Sequence, residues 1–144
     1  MGSKRPALII GAGKMGRGFC AEILDSAGCR ITFADTSEAR LERLRQARGY
    51  TIYKARKTYF ETVSIEGYDV LPLSAEGELS DLVAQRGMLI MLAVPFQELE
   101  SIAETLCFCI ARKAMETPDE PLDILLCMNQ IDAKLKLSTC FENL

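Results

Sequence analysis

Short, fully apolar runs alternate along this chain with longer amphipathic stretches. Ala7-Leu8-Ile9-Ile10 is apolar at every position, which predicts a strand covered on both faces rather than a half-exposed one. Gly11-Ala12-Gly13-Lys14-Met15-Gly16 breaks that run. From Met15 the period becomes helical: Phe19, Ile23 and Ala27 recur at four-residue spacing and form the apolar stripe, and Gly28 is the stop. Arg30 to Ala34 reads as a second strand closing on Asp35, and Ser37 is placed to cap a polar helix over Glu38 to Arg48 with Leu41 and Leu44 turned inward.

The stretch from Tyr50 to Leu73 has a different texture. Tyr50, Ile52, Tyr53, Tyr59, Phe60, Val63 and Ile65 are strand formers, interrupted by a basic turn and by Glu66-Gly67. They predict a hairpin inserted around residues 50–73, followed by a short strand at Asp69 to Leu73. The alternation then resumes with a helix at Glu78 to Gln85, a buried strand at Met88 to Val94 and a long helix over Glu98 to Met115. A strand at Leu122 to Cys127 and a helix from Ala133 complete the series. Strands and helices in this rhythm predict an α/β fold with a doubly wound, mainly parallel sheet.

Composition narrows the class. The chain has 144 residues, 49% hydrophobic and 26% charged, enough for one domain with one core. A net charge of −3 argues against binding nucleic acid through its phosphates. Lys54, Arg56 and Lys57 read as a solvated basic turn among acids. No apolar run is long enough to span a bilayer. The six cysteines form no CxxC pair, there is no histidine and no secretory signal precedes the first strand, so no metal site is expected. Buried, reduced thiols in a cytoplasmic protein are the expectation.

The chemistry is concentrated in Gly11-x-Gly13-x-x-Gly16, set between a strand and a helix. Gly11 permits the tight turn, Gly13 lets backbone approach a pyrophosphate and Gly16 lets the helix lie close on the sheet. With Asp35 placed 24 residues after Gly11 at the end of the next strand, this is the fingerprint of a Rossmann dinucleotide site. The carboxylate can accept from ribose hydroxyls and repel a 2′-phosphate, favouring NAD; otherwise it caps the next helix. Lys14, Met15 and Arg17 lie where they can face the pyrophosphate. Arg40, one helical turn past Asp35, either meets a 2′-phosphate or stays in solvent. Val94 and Pro95 end the strand expected beside the first, and either wall the cofactor or start the next helix. Asn129 has the same placement after its strand: its amide reaches the nicotinamide ribose or a substrate oxygen, or caps the last helix. Alcohol oxidation also needs a base, and without histidine no residue here is assigned that catalytic role.

At these residues the chain resembles the mannitol-1-phosphate 5-dehydrogenase group of the mannitol dehydrogenase family. Gly11-Ala12-Gly13-Lys14-Met15-Gly16-Arg17-Gly18-Phe19 resembles that family's opening and Thr32-Phe33-Ala34-Asp35 its second strand. The hairpin and Leu126-Cys127-Met128-Asn129 fall where the family has an inserted β segment and a Cys-acid-Asn motif. Lys14 stands for a usual asparagine and Met128 for a usual acid. The resemblance implies an N-terminal domain that holds NAD over residues 1–144. It also implies a helical C-terminal domain supplying the catalytic lysine, asparagine and histidine, before which this chain is expected to stop. Asn129 is implied to hold the substrate oxygen. The alternatives are a 3-hydroxyacyl-CoA-type dehydrogenase, against which the hairpin and Arg17-Gly18-Phe19 count, and a non-catalytic NAD(H) sensor. A face left bare by the second domain is expected to make the chain self-associate.

Overall fold

A computed structural model describes residues 2–144. In chain order the elements are β1 (Pro6–Ile10), a π-helical turn (Gly16–Cys20) running into α1 (Ala21–Ser26), β2 (Arg30–Asp35) and α2 (Glu38–Ala47). Then come β3 (Gly49–Ala55), β4 (Phe60–Glu66), β5 (Asp69–Pro72), α3 (Glu76–Val83) and β6 (Leu89–Leu92). A short 3-10 turn (Phe96–Glu98), α4 (Leu99–Glu116), β7 (Asp123–Leu126) and α5 (Ala133–Glu142) complete it.

Five strands form one sheet in the order β5-β2-β1-β6-β7, and every pairing in it is parallel. The chain winds outward from β1 in one direction through β2 and β5, then returns to β6 and winds the other way. The strand order therefore reverses between β1 and β6, and their C-terminal ends open a crevice there, as doubly wound sheets do. Strands β3 and β4 form the antiparallel hairpin outside this sheet.

The sheet divides the core. Leu8, Ile10, Ile90 and Leu92 face α3, α4 and α5 on one side, while Ile9, Phe33 and Met91 face α1, α2 and the hairpin on the other. All five residues of β1 are buried, as its unbroken apolar run requires. Each buried Leu or Ile there contributes about 1.5–3 kcal/mol, so the strand that carries the glycine turn is firmly seated.

The first helix departs from its sequence-based stripe. Phe19 and Ile23 are 56% and 45% exposed, and Ala27 is exposed too; Cys20, Ala21 and Leu24 point into the core instead. The cause is Gly16. A Cβ there would lie 1.8 Å from the Gly11 carbonyl oxygen, so the helix is pressed onto the turn at this residue. The residues one and two turns beyond Gly16, Cys20 and Leu24, inherit its inward direction. The apolar series Met15, Phe19, Ile23 lies about 100° round the helix.

The hairpin is tied to this helix. Tyr50 Oη donates to the Arg17 carbonyl (2.6 Å), Lys54 pairs with Glu22, and Ile65 is fully buried. Tyr50 packs tilted and Tyr68 edge-on against Phe33 of β2, at centroid distances of 6.4 and 5.3 Å. Arg56 pairs with Glu61 at the tip, leaving the basic turn on the surface. All six cysteines are free, but only Cys20 and Cys109 are buried; the other four are partly exposed, which corrects the expectation of buried thiols. Burial, with Cys127 beside it, pushes the Cys20 thiol up to about 12. Among the described residues no helix is long and apolar enough to cross a membrane, and no cluster of three or more metal-ligating side chains occurs.

Candidate functional site

The crevice is built by strand ends locked to one another. Gly11 N–H donates to the Ala34 carbonyl (2.8 Å), Ala93 N–H to Ile10 (2.8 Å) and Cys127 N–H to Leu92 (2.8 Å). Gly11 has φ +103°, and a Cβ on it would lie 2.2 Å from the Ala93 carbonyl oxygen. It therefore serves both the left-handed turn and the close passage of β6's exit. Gly16 serves helix packing, as above. Gly13 is different: a Cβ there meets nothing within 4 Å. The fold itself places no demand on that position.

Asp35 is buried at the end of β2 and accepts three hydrogen bonds. Ala12 N–H reaches Oδ2 at 2.8 Å, Ser37 N–H reaches Oδ1 at 2.8 Å and Arg40 Nη1 reaches Oδ2 at 2.9 Å. Burial by itself raises its pKa, but the Ser37 and Ala12 amides and the Arg40 guanidinium outweigh it and hold the carboxyl below the ordinary carboxylate value. Ser37 caps α2, its Oγ accepting from Arg40 N–H at 3.3 Å. Asp35 thus also fixes the shape of the glycine turn through Ala12.

One lobe of the crevice is lined by Gly11, Gly13, Asp35, Arg40, Val94 and Pro95. The adjoining lobe shares Gly13, Val94 and Pro95 and adds Lys14, Met15 and Asn129. Eight of the ten residues singled out in the sequence thus meet along one continuous groove across the strand reversal. The exceptions are Gly16, pressed against Gly11 and Ile9, and Arg17, whose Nε donates back to the Gly13 carbonyl at 3.4 Å and whose own carbonyl accepts from Tyr50. Asn129 is not the cap of the last helix, a position held by Asp132. Pro95 both lines the groove and precedes the 3-10 turn. Arg40 is neither free nor fully solvated but paired with Asp35. Sequence reasoning missed the Ala12 amide, which no side-chain pattern can show, and Glu98 on the far wall.

The acid limb of stability follows from the carboxylates. Asp35 and Glu120, the latter bonded to Lys113 and to the Gly87 amide, both have lowered pKa values. A folded-state pKa below the unfolded one gives stability that is complete above about pH 4–4.5 and is lost as pH falls through the folded value. Urea midpoints are expected to be flat from pH 8 to 5 and to fall below about pH 4. A chain equally stable at pH 3 and pH 7 overturns this.

Comparison with known proteins completes the assignment. The family model described as the mannitol dehydrogenase Rossmann domain matches residues 5–140. The mannitol-1-phosphate 5-dehydrogenase of Enterococcus faecalis is 33% identical over 125 residues, covering 87% of this chain and 32% of that protein. The chain thus spans about a third of the length of this curated relative. Among solved structures, prephenate dehydrogenase from A. aeolicus, in complex with hydroxyphenyl propionate and NAD+, superposes with a TM-score of 0.58 at 16% identity. The match covers 96% of this chain and 39% of that one. The NAD(P)-binding domain of an exopolyphosphatase-related protein from Archaeoglobus fulgidus gives 0.53 at 13% identity, covering 96% and 84%. These two likenesses establish the Rossmann fold. The family match and the curated relative establish more: the chain belongs to the mannitol dehydrogenase family, as its Rossmann domain.

Proposed function

We propose that this chain binds NAD(H) in the groove between Asp35 and Asn129, as the cofactor half of a mannitol-1-phosphate 5-dehydrogenase-like oxidoreductase. The observation that carries this is Gly13. Its side is open to the groove, so the glycine answers a need outside the fold, and a pyrophosphate passing against the backbone supplies one. Gly11 and Gly16 shape the turn beneath it, while Lys14 and Met15 border it. Arg17, folded back on Gly13, supports the turn and lends it positive charge. At one end Asp35 accepts from the adenosine ribose and disfavours a 2′-phosphate. Val94 and Pro95 wall the middle, and Asn129 reaches the nicotinamide ribose or the substrate oxygen.

The cofactor, when bound, supplies hydride transfer between NAD and a polyol phosphate or ketose phosphate. This chain's residues bind and orient it. The family resemblance supports acid–base groups for the hydroxyl proton that are supplied by a helical catalytic domain. The exposed apolar residues Met15, Phe19, Ile23 and Leu125 support a docking face for such a domain, and in isolation the same face favours self-association.

Titration with NADH, followed by calorimetry, tests this beside Gly13→Val. The wild-type chain is expected to bind NADH, and the variant to bind it at least tenfold more weakly while melting at the same temperature. Undiminished binding by Gly13→Val, or no binding of NADH by the wild type, sinks the reading.

A further inference from the structure

We propose that Cys20 and Cys127 form a dithiol beneath the groove, which a hydroperoxide reaching Cys127 from the groove closes to a disulfide. The pair itself stands on the packing of the sheet; only its protection by cofactor rests on the dinucleotide reading above.

Strand register brings the two thiols together. β7 pairs with β6 up to Leu92 and Leu126, and Cys127 continues it, its N–H donating to the Leu92 carbonyl at 2.8 Å. Side chains alternate along a strand. Leu126 and Met128 therefore turn toward α4 and α5, and Cys127 turns to the opposite face, which holds Ile9, Met91 and Cys20. Cys20 ends the π-helical turn lying over β1 and β6, and it points inward with no exposure. Burial first, and then the Cys127 thiol alongside, push Cys20 up to about 12. The other four cysteines stand elsewhere: Cys107 and Cys109 on α4 and Cys140 on α5, across the sheet, and Cys29 before β2, at the sheet's other end.

The two thiols have unequal parts. Cys127 lines the groove with Met15 and Asn129, so it is the one that meets a peroxide. Its sulfur attacks one peroxide oxygen, the O–O bond breaks, and the other oxygen leaves as water, giving a sulfenic acid. Cys20, enclosed and protonated, is a poor target for peroxide itself but lies against the oxidised sulfur. Its sulfur displaces the sulfenic oxygen, its proton leaves with that oxygen as a second water, and the S–S bond forms. Two thiols are oxidised and one peroxide is reduced to two waters. The bond ties the helix leaving the glycine turn to the strand leading to Asn129.

The test treats the chain with hydrogen peroxide, caps the remaining thiols, cleaves after glutamate and lysine, and maps the peptides by mass. Cleavage at Glu22 separates Cys20 from Cys29, and cleavage at Lys134 separates Cys127 from Cys140. The Cys20 and Cys127 peptides are expected to appear joined, two hydrogens lighter than their sum. Cys20→Ala is expected to lose this product and to leave a sulfenic acid on Cys127 that dimedone captures. Absence of the joined peptides, or Cys127 joined to any other cysteine, overturns the proposal. Should Cys20→Ala not fold, Cys127→Ala decides: Cys20 left unmodified by peroxide supports the proposal, and Cys20 oxidised there overturns it. Saturating NADH is expected to slow bond formation at least tenfold. An unchanged rate with NADH bound by calorimetry overturns the groove as the route of entry. Failure of NADH to bind at all instead overturns the dinucleotide reading, and the joined peptides still decide the pair.

Discussion

Gly16→Ala is expected to destabilise this chain by about 3 kcal/mol or more, placing it at the severe end of single substitutions. Alanine is ordinarily the better helix former, by about 1 kcal/mol over glycine, so local propensity predicts the opposite sign. The contact decides the matter. The new Cβ would stand 1.8 Å from the Gly11 carbonyl oxygen, 3.0 Å from its carbon and 3.1 Å from Ile9 Cγ2. The first two are backbone atoms with no rotamer to yield. Relief requires lifting the π-helical turn off β1, which draws Cys20, Ala21 and Leu24 out of the core. Gly13→Ala, three residues away, meets nothing and is expected to stay within about 0.5 kcal/mol of wild type. Urea midpoints of the two variants measure the contrast, and equal midpoints would refute this account of the turn.

The second large effect is expected at the opposite end of the sheet. Lys113 of α4 is enclosed, its side chain 3% exposed, and Nζ donates to the Gln85 carbonyl and to Glu120 Oε2, both at 2.9 Å. Glu120 in turn accepts from Gly87 N–H at 2.8 Å. One ion pair therefore joins the end of α4, the loop into β6 and the loop into β7. Glu120→Ala leaves a buried ammonium with a single carbonyl for company, a costly arrangement, and is expected to lower Tm by about 5 °C or more. Lys113→Met is expected to be milder. The apolar side chain suits the site, while Glu120 keeps its amide and reaches water. Differential scanning calorimetry gives the order, and Lys113→Met proving the worse of the two would sink the argument. Neither variant should alter NADH affinity, because the pair lies at the strands' N-terminal ends.

Much of this molecule was legible in its order of residues. The unbroken run Ala7–Ile10, the three glycines, Asp35 and the inserted hairpin each carried a local signal, and the family match and the parallel sheet agree with the fold read from them. Ser37 as a cap and Leu41 and Leu44 as inward positions were readable because capping and helical period are short-range rules. The first helix was misread because four-residue spacing from Met15 is a genuine pattern with the wrong anchor. A glycine, having no side chain to count, sets which face is buried. The Lys113–Glu120 pair left no trace, since its meaning depends on Gln85 and Gly87 arriving from a distant loop. Arg40 was visible as a cation near Asp35, but its pairing with that carboxylate at 2.9 Å is neither of the two fates read for it.

The bond from Ala12 N–H to Asp35 has an evolutionary corollary. A lineage under pressure to change its reducing currency cannot freely discard this acid, because the same carboxylate holds the shape of the loop on which any dinucleotide must rest. Exchanges at position 40 carry no such burden. Among relatives that retain this bond, the acid should therefore outlast the side chains around it.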